Sequence, residues 1–89
     1  MQENSITGLQ IRAARGALGW SVSQLSERSN VGTATIVRYE AESGVPPSRK
    51  DNLSKLKTAL ETAGIEFIGT PDDRPGIRIG LPRPNDGSS

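Results

Sequence analysis

The chain has 89 residues, enough for one small domain, and it contains neither cysteine nor histidine. Disulfides, thiolate metal sites and histidine-based catalysis are therefore excluded. Because no two carboxylates stand in a catalytic spacing, we expect no enzyme, no cofactor and no metal. The 11 basic and 10 acidic residues give a net charge of +1, lower than is usual for nucleic-acid-binding domains. Without a signal peptide or a membrane-length apolar run, we expect a cytoplasmic protein that makes no membrane contact.

A polar arm is predicted over residues 1–5, and a first helix over Gly8–Leu18. Thr7 is a suitable N-cap, and Gln10 follows at the spacing of a capping box. Gly19 is the residue type that commonly ends a helix. The inner face of this helix is formed by residues that recur at helical spacing, namely Ile11, Ala14 and Leu18.

A short second helix is predicted to begin after Ser21, with Gln24 completing another capping box. Asn30 ends it, because asparagine tolerates the left-handed conformation found at helix ends. Trp20 and Leu25 have the spacing of a hydrophobic staple, which packs the chain before a helix onto its first turn. The alternative role for Trp20 is that of an exposed anchor for a partner, because tryptophan is favoured at binding hot spots.

Two further helices are predicted over residues 33–42 and 51–63, separated by a segment that contains Gly44, Pro46 and Pro47. Gly64 is placed to end the last of them. The apolar face of this last helix comprises Leu53, Leu56, Ala59, Leu60 and Ala63.

The pattern changes after the last helix, because residues 65–67 and 77–79 alternate with the period of strands. Residues 70–76 are rich in Pro, Asp and Gly and are predicted to form the connecting loop. In this hairpin Glu66 and Arg78 share the outer face, where they could pair. The predicted organisation is an arm over 1–5, a helical domain over 6–64, a β-hairpin over 65–81 and a disordered tail over 82–89.

Two short helices joined by a tight turn behind a first helix form the helix-turn-helix arrangement. Residues 18–40, LGWSVSQLSERSNVGTATIVRYE, closely resemble the Xre family of bacterial and phage regulators, which includes the lambda-type repressors and Cro. The resemblance extends back to residue 11 and forward to residue 67. It implies a mainly α, lambda-repressor-like bundle of four to five helices, followed here by a short C-terminal β-hairpin.

The resemblance also implies functional positions. The recognition helix would be residues 33–42, and an ion pair would join Arg15 in the first helix to Glu40 in the recognition helix. Arg38 could donate two hydrogen bonds to a guanine in the major groove of double-stranded DNA. Two cations of the predicted loop, Arg49 and Lys50, could also contact phosphates. The positions expected to contact DNA are therefore Ser21, Ser23, Gln24, Thr33, Ala34, Val37, Arg38, Arg49 and Lys50.

The chain departs from the family pattern at positions that bear on function. Val22 stands where the family often has a glutamine that contacts phosphate, and Gly32 is a weaker cap than the usual Ser or Thr. Together with Ala34 and Val37, Val22 makes the face apolar, which is typical of protein-binding surfaces.

Three functions are therefore left open. The first is a DNA-binding transcription regulator that acts as a homodimer on paired half-sites. The second is an antiactivator that inhibits a transcriptional activator through a face comprising Val22, Ala34, Val37 and Arg38. The third is an antitoxin whose C-terminal segment binds a toxin.

Overall fold

The structure is a computed structural model that describes residues 5–47 and 51–80. The predicted arm, apart from Ser5, the cations Arg49 and Lys50, and the predicted tail over 82–89 lie outside the described residues. The elements in chain order are α1 (Gly8–Leu18), α2 (Val22–Ser29), α3 (Thr33–Glu40), α4 (Asn52–Thr62), β1 (Ile65–Thr70) and β2 (Asp73–Ile79). The predicted fold class, a mainly α bundle followed by a hairpin, is confirmed.

Both predicted capping boxes are present. Thr7 Oγ1 accepts a hydrogen bond from the Gln10 backbone N–H at 3.0 Å, and the Thr7 N–H donates to Gln10 Oε1 at 2.9 Å. Ser21 and Gln24 make the same reciprocal pair at 3.0 and 2.8 Å. These bonds satisfy backbone donors that a helix start otherwise leaves unpaired. The two helices end at residues with left-handed backbone, Gly19 (φ 69°) and Asn30 (φ 64°).

The recognition helix is shorter than predicted. It ends at Glu40, whereas the sequence predicts an end at Glu42. The Glu42 N–H donates to the Tyr39 carbonyl at 3.1 Å, which is the i→i−3 bond of a tightened last turn rather than an α-helical one. The chain therefore leaves the helix one half-turn early and enters the loop that precedes α4.

The predicted loop over residues 70–76 is wrong. Strand β2 begins at Asp73, and only Pro71 and Asp72 connect it to β1. The Pro, Asp and Gly content indicates irregular backbone, yet a bulge at Gly69 (φ 75°) lets this segment continue the antiparallel ladder.

The outer face of the hairpin is as predicted. Glu66 lies opposite Arg78 in the ladder, and the Arg78 Nη1 atom lies 3.2 Å from Glu66 Oε1. A two-stranded hairpin is marginal by itself, so its stability depends on the helices beneath it.

Gln10 joins the hairpin to α1. Its side chain is buried, and its Nε2 atom donates to the carbonyl oxygens of Gly76 at 2.8 Å and Ile68 at 3.3 Å. The same side chain accepts from Thr7, so its oxygen and both amide hydrogens have partners. One residue therefore caps α1 and holds both strands against it.

The core lies where the four helices and the hairpin meet. Gly8 allows the closest approach, because a Cβ there would collide with the carbonyl oxygens of Tyr39 and Glu42. The start of α1 therefore packs directly on the end of α3. The buried apolar residues are Ile6, Ile11, Ala14, Leu25, Val31, Ile36, Tyr39, Leu53, Leu56, Leu60 and Ile65.

Candidate nucleic-acid interface

A bidentate ion pair between Arg15 and Glu40 fixes the position of α3. Arg15 Nε donates to Glu40 Oε2 at 2.8 Å, and Nη2 donates to Oε1 at 2.9 Å. The remaining Nη1 donates to the Trp20 carbonyl at 2.9 Å, so the guanidinium also holds the turn before α2. The structure thus brings together the two residues that the resemblance pairs.

The side chains of this pair are largely shielded from solvent. The Glu40 side chain is only 8% exposed and that of Arg15 22%. The hydrogen bond to Glu40 raises the pKa of Arg15 above its ordinary value. Because the pKa of Arg15 is raised in the folded chain, the stability that this cation contributes is lost only as the pH rises through that raised value. The pair is therefore a fixed connection from α1 to α3.

The outer surface of α3 presents four of the predicted site residues together. Thr33, Ala34, Val37 and Arg38 are all exposed, while Ile36 on the inner side is fully buried. The four positions follow one another at helical spacing, so they form one continuous face. We call these four residues the α3 face.

The α3 face is mixed in chemistry. Val37 is 57% exposed, an unusual position for a large apolar side chain. Arg38 is exposed, has its guanidinium carbon 6.0 Å from the centre of the Tyr39 ring, and makes no ion pair within the described residues. The face therefore offers one cation and one hydroxyl, from Thr33, beside apolar surface.

The start of α2 supplies the other predicted contacts. Ser21, Ser23 and Gln24 are exposed. Ser21 Oγ and Gln24 Oε1 are occupied by the capping box, but the Gln24 amide nitrogen has no hydrogen-bond partner among the described residues. The first backbone N–H groups of a helix attract anions, so this end suits a phosphate.

Val22 differs from the other apolar residues of the predicted protein-binding face. It is half-buried and packs against the core, whereas Ala34 and Val37 are exposed. The apolar surface available to a partner is therefore mainly that of α3. The sequence does not show this, because burial at the first position of a helix depends on what packs there.

The comparison with protein families decides what this architecture is. A family model described as Helix-turn-helix matches residues 11–62, more than half of the chain. The chain belongs to the Xre-type helix-turn-helix family. The matched span begins inside α1, includes α2, α3 and α4, and ends before the hairpin. A comparison with curated proteins finds no match to the chain.

Membership has direct consequences. Xre-type domains are DNA-binding regulatory domains, and enzymes are not typical of the family.

Residues 5–47 and 51–80 contain no cluster of side chains that could hold a metal ion. Nor is any helix in these ranges long and apolar enough to span a bilayer.

Sequence reasoning missed two features around these positions. One is the bridge from Gln10 to the hairpin, because the capping-box spacing predicts the bonds of Gln10 to Thr7 but not those to the hairpin carbonyls. The other is Arg28, whose guanidinium carbon lies 4.6 Å from the centre of the Trp20 ring. A cation at that distance stacks on the ring face. Trp20 lies before α2, so the helical spacing rules, which pair residues within one helix, do not connect it to Arg28.

Proposed function

We propose that this Xre-type domain is a sequence-specific transcription regulator that places α3 in the major groove of its operator. The observation that carries the proposal is the α3 face, a continuous exposed surface on a helix held rigidly by the Arg15–Glu40 pair. An α-helix fits the major groove, where base edges are distinguishable. Rigid support of α3 is needed because sequence-specific recognition requires each hydrogen-bond donor on the helix to meet a defined base edge.

Arg38 is the principal base-reading residue in this proposal. Its guanidinium carries no ion pair with a described residue and projects from the exposed side of α3. Arginine bonds a guanine bidentately, and such a contact contributes about 1–3 kcal/mol of discrimination. Thr33 adds a hydroxyl for a base or phosphate, and the methyl-sized surfaces of Ala34 and Val37 suit thymine methyl groups.

Phosphate contacts would set the register on the duplex. Ser21, Ser23 and the free amide of Gln24 lie at the start of α2, whose dipole attracts anions. Arg49 and Lys50, which precede α4 in the sequence, are proposed to contact the flanking backbone. A second copy would bind the adjacent half-site, because one small module has limited affinity by itself.

The test is a binding titration by fluorescence anisotropy with DNA taken from beside the protein's own gene. Arg38→Ala should lower specific affinity roughly 5- to 150-fold, the equivalent of about 1–3 kcal/mol. Arg12→Ala is the matched control, because Arg12 is an exposed arginine on α1 outside the α3 face. Specific binding should also weaken steeply with added salt. Equal losses in the two variants, or no specific binding at low salt, would refute the proposal.

A second function, inhibition of a transcriptional activator, is favoured by one observation. Val37 is 57% exposed beside exposed Ala34, and the net charge is only +1. An apolar helix face of this kind suits a protein partner. Val37→Glu would introduce an unpaired charge into such an interface and abolish the complex. This function is supported if the chain binds no DNA specifically at low salt, yet binds an activator that Val37→Glu loses and Arg12→Glu retains.

A further inference from the structure

An open groove lies between α2 and α4, outside the surface used in the proposed function. It has a volume of about 460 Å³. Trp20 and Arg28 form its α2 side, and the α4 side includes Lys55, Thr58, Ala59 and Thr62. We call it the α2–α4 groove. It shares no residue with the α3 face or with the start of α2.

The shape of the groove suits a peptide segment. Its lining runs along α4 from Ser54 to Ala63, a distance of about 14 Å at 1.5 Å per residue. Pockets for small molecules enclose most of the ligand surface, whereas this groove is partly open to solvent. A helix laid beside α4 would contact it over about two and a half turns.

The charges of the groove are of one sign. Its lining contains Arg28 and Lys55 and no acidic residue. Neither cation makes an ion pair with a described residue. In a chain of net charge +1, two unpaired cations in one groove favour an anionic occupant.

The Trp20 ring forms an apolar wall of the groove and holds the guanidinium of Arg28 in a defined orientation. Trp20 is half-buried and packs on the core, which holds the ring in place. The Arg28 guanidinium carbon stands 4.6 Å from the ring centre, so the guanidinium stacks on the ring with its edge available. A guanidinium oriented in this way can bond a carboxylate through two parallel hydrogen bonds. Ala59 on α4 adds further apolar surface to the lining.

We propose that the α2–α4 groove binds an acidic amphipathic helix of a partner protein. Carboxylates of that helix pair with Arg28 and Lys55, and its apolar side chains pack on Trp20 and Ala59. Laying one helix along a groove is a recurrent mode of peptide recognition. Because the groove and the α3 face share no residue, we expect the partner and DNA not to compete for the same side chains.

The experiment selects peptides without presupposing their sequence. A phage library of random peptides of roughly 15 residues is selected on the immobilised full chain. The expected winners are enriched in Asp and Glu, with apolar residues at helical spacing. A winner without tryptophan is then synthesised and titrated while the emission of Trp20, the single tryptophan of the chain, is followed.

Two charge reversals localise the binding. Lys55→Glu should weaken the peptide about tenfold or more, because it replaces an attractive charge by a repulsive one. Arg12→Glu makes the same change in net charge outside the groove and should alter Kd by less than about twofold. Circular dichroism verifies that both variants are folded. Operator affinity is measured in parallel, so a failure of the groove is distinguished from a failure of DNA binding.

Several results would overturn the proposal. One is a selection that yields no binder, or binders without acidic enrichment. Another is a Lys55→Glu chain that binds the peptide as tightly as wild type, or an equal loss with Arg12→Glu. A peptide that is displaced by operator DNA and lost in Val37→Glu would place binding on the α3 face instead.

Discussion

Replacing Glu40 by alanine should destabilise the domain strongly, because it leaves the Arg15 cation without its counter-charge. Losing one partner of a fully buried pair costs about 3–5 kcal/mol, and an exposed pair contributes about 0–1 kcal/mol. Glu40 is 8% exposed, close to the buried limit, but Arg15 at 22% regains some water and keeps its bond to the Trp20 carbonyl. We therefore expect a loss of about 2–3 kcal/mol in the free energy of unfolding.

The hairpin provides a matched control for this substitution. Glu66 also pairs with an arginine, at 3.2 Å, but the two side chains are 60% and 65% exposed. Glu66→Ala removes the same atoms and the same charge, but from a pair exposed to solvent. We therefore expect the free energy of unfolding to change by less than about 1 kcal/mol. The two variants differ chiefly in the burial of the pair they break.

The assay is urea denaturation followed by far-ultraviolet circular dichroism, with thermal melts in parallel. For a domain of this size, the expected loss in Glu40→Ala corresponds to a drop in Tm of roughly 10–20 °C. The reasoning is refuted if Glu40→Ala costs no more than Glu66→Ala. Operator affinity measured well below the melting temperature should also fall in Glu40→Ala, because the pair orients α3.

Three further predictions follow from packing. Gly8→Ala should lower the free energy of unfolding by about 3 kcal/mol or more, because the added Cβ meets two backbone carbonyls. Gly16→Ala on the same helix is the control: its Cβ meets no atom, so it should stabilise the domain by about 0.5–1 kcal/mol. Equal effects of the two substitutions in denaturation would contradict this. Gln10→Ala should lower the free energy of unfolding by about 1–3 kcal/mol, because it removes the hydrogen bonds to the hairpin. It should also speed hydrogen exchange of the hairpin amides more than that of the α2 amides. Unchanged exchange in the hairpin would argue against the bridge from Gln10. Trp20 emission should lie to the blue of the unfolded chain and move to the red in Arg28→Ala, which uncovers the ring; an emission insensitive to Arg28 would contradict the stacking.

The helix starts and most helix ends could be predicted from the sequence. Thr7 with Gln10, and Ser21 with Gln24, each complete their bonds within four consecutive residues, so spacing alone predicts them. The left-handed ends depend likewise on the residue type at one position. The family resemblance adds the pairing of Arg15 with Glu40, which no local rule contains.

Contacts between residues distant in the chain were determined only by the tertiary structure. The segment over residues 70–76 has the composition of a loop, but pairing with β1 across a bulge makes most of it a strand. Gln10 reaches hairpin carbonyls 58 and 66 residues away, and Val22 is half-buried by the core beneath it. The α2–α4 groove exists only because two helices pack with Trp20 and Arg28 on one side. Local hydrogen bonding is encoded within a single turn of chain, whereas burial, long-range bonds and surface grooves arise only when the elements pack together.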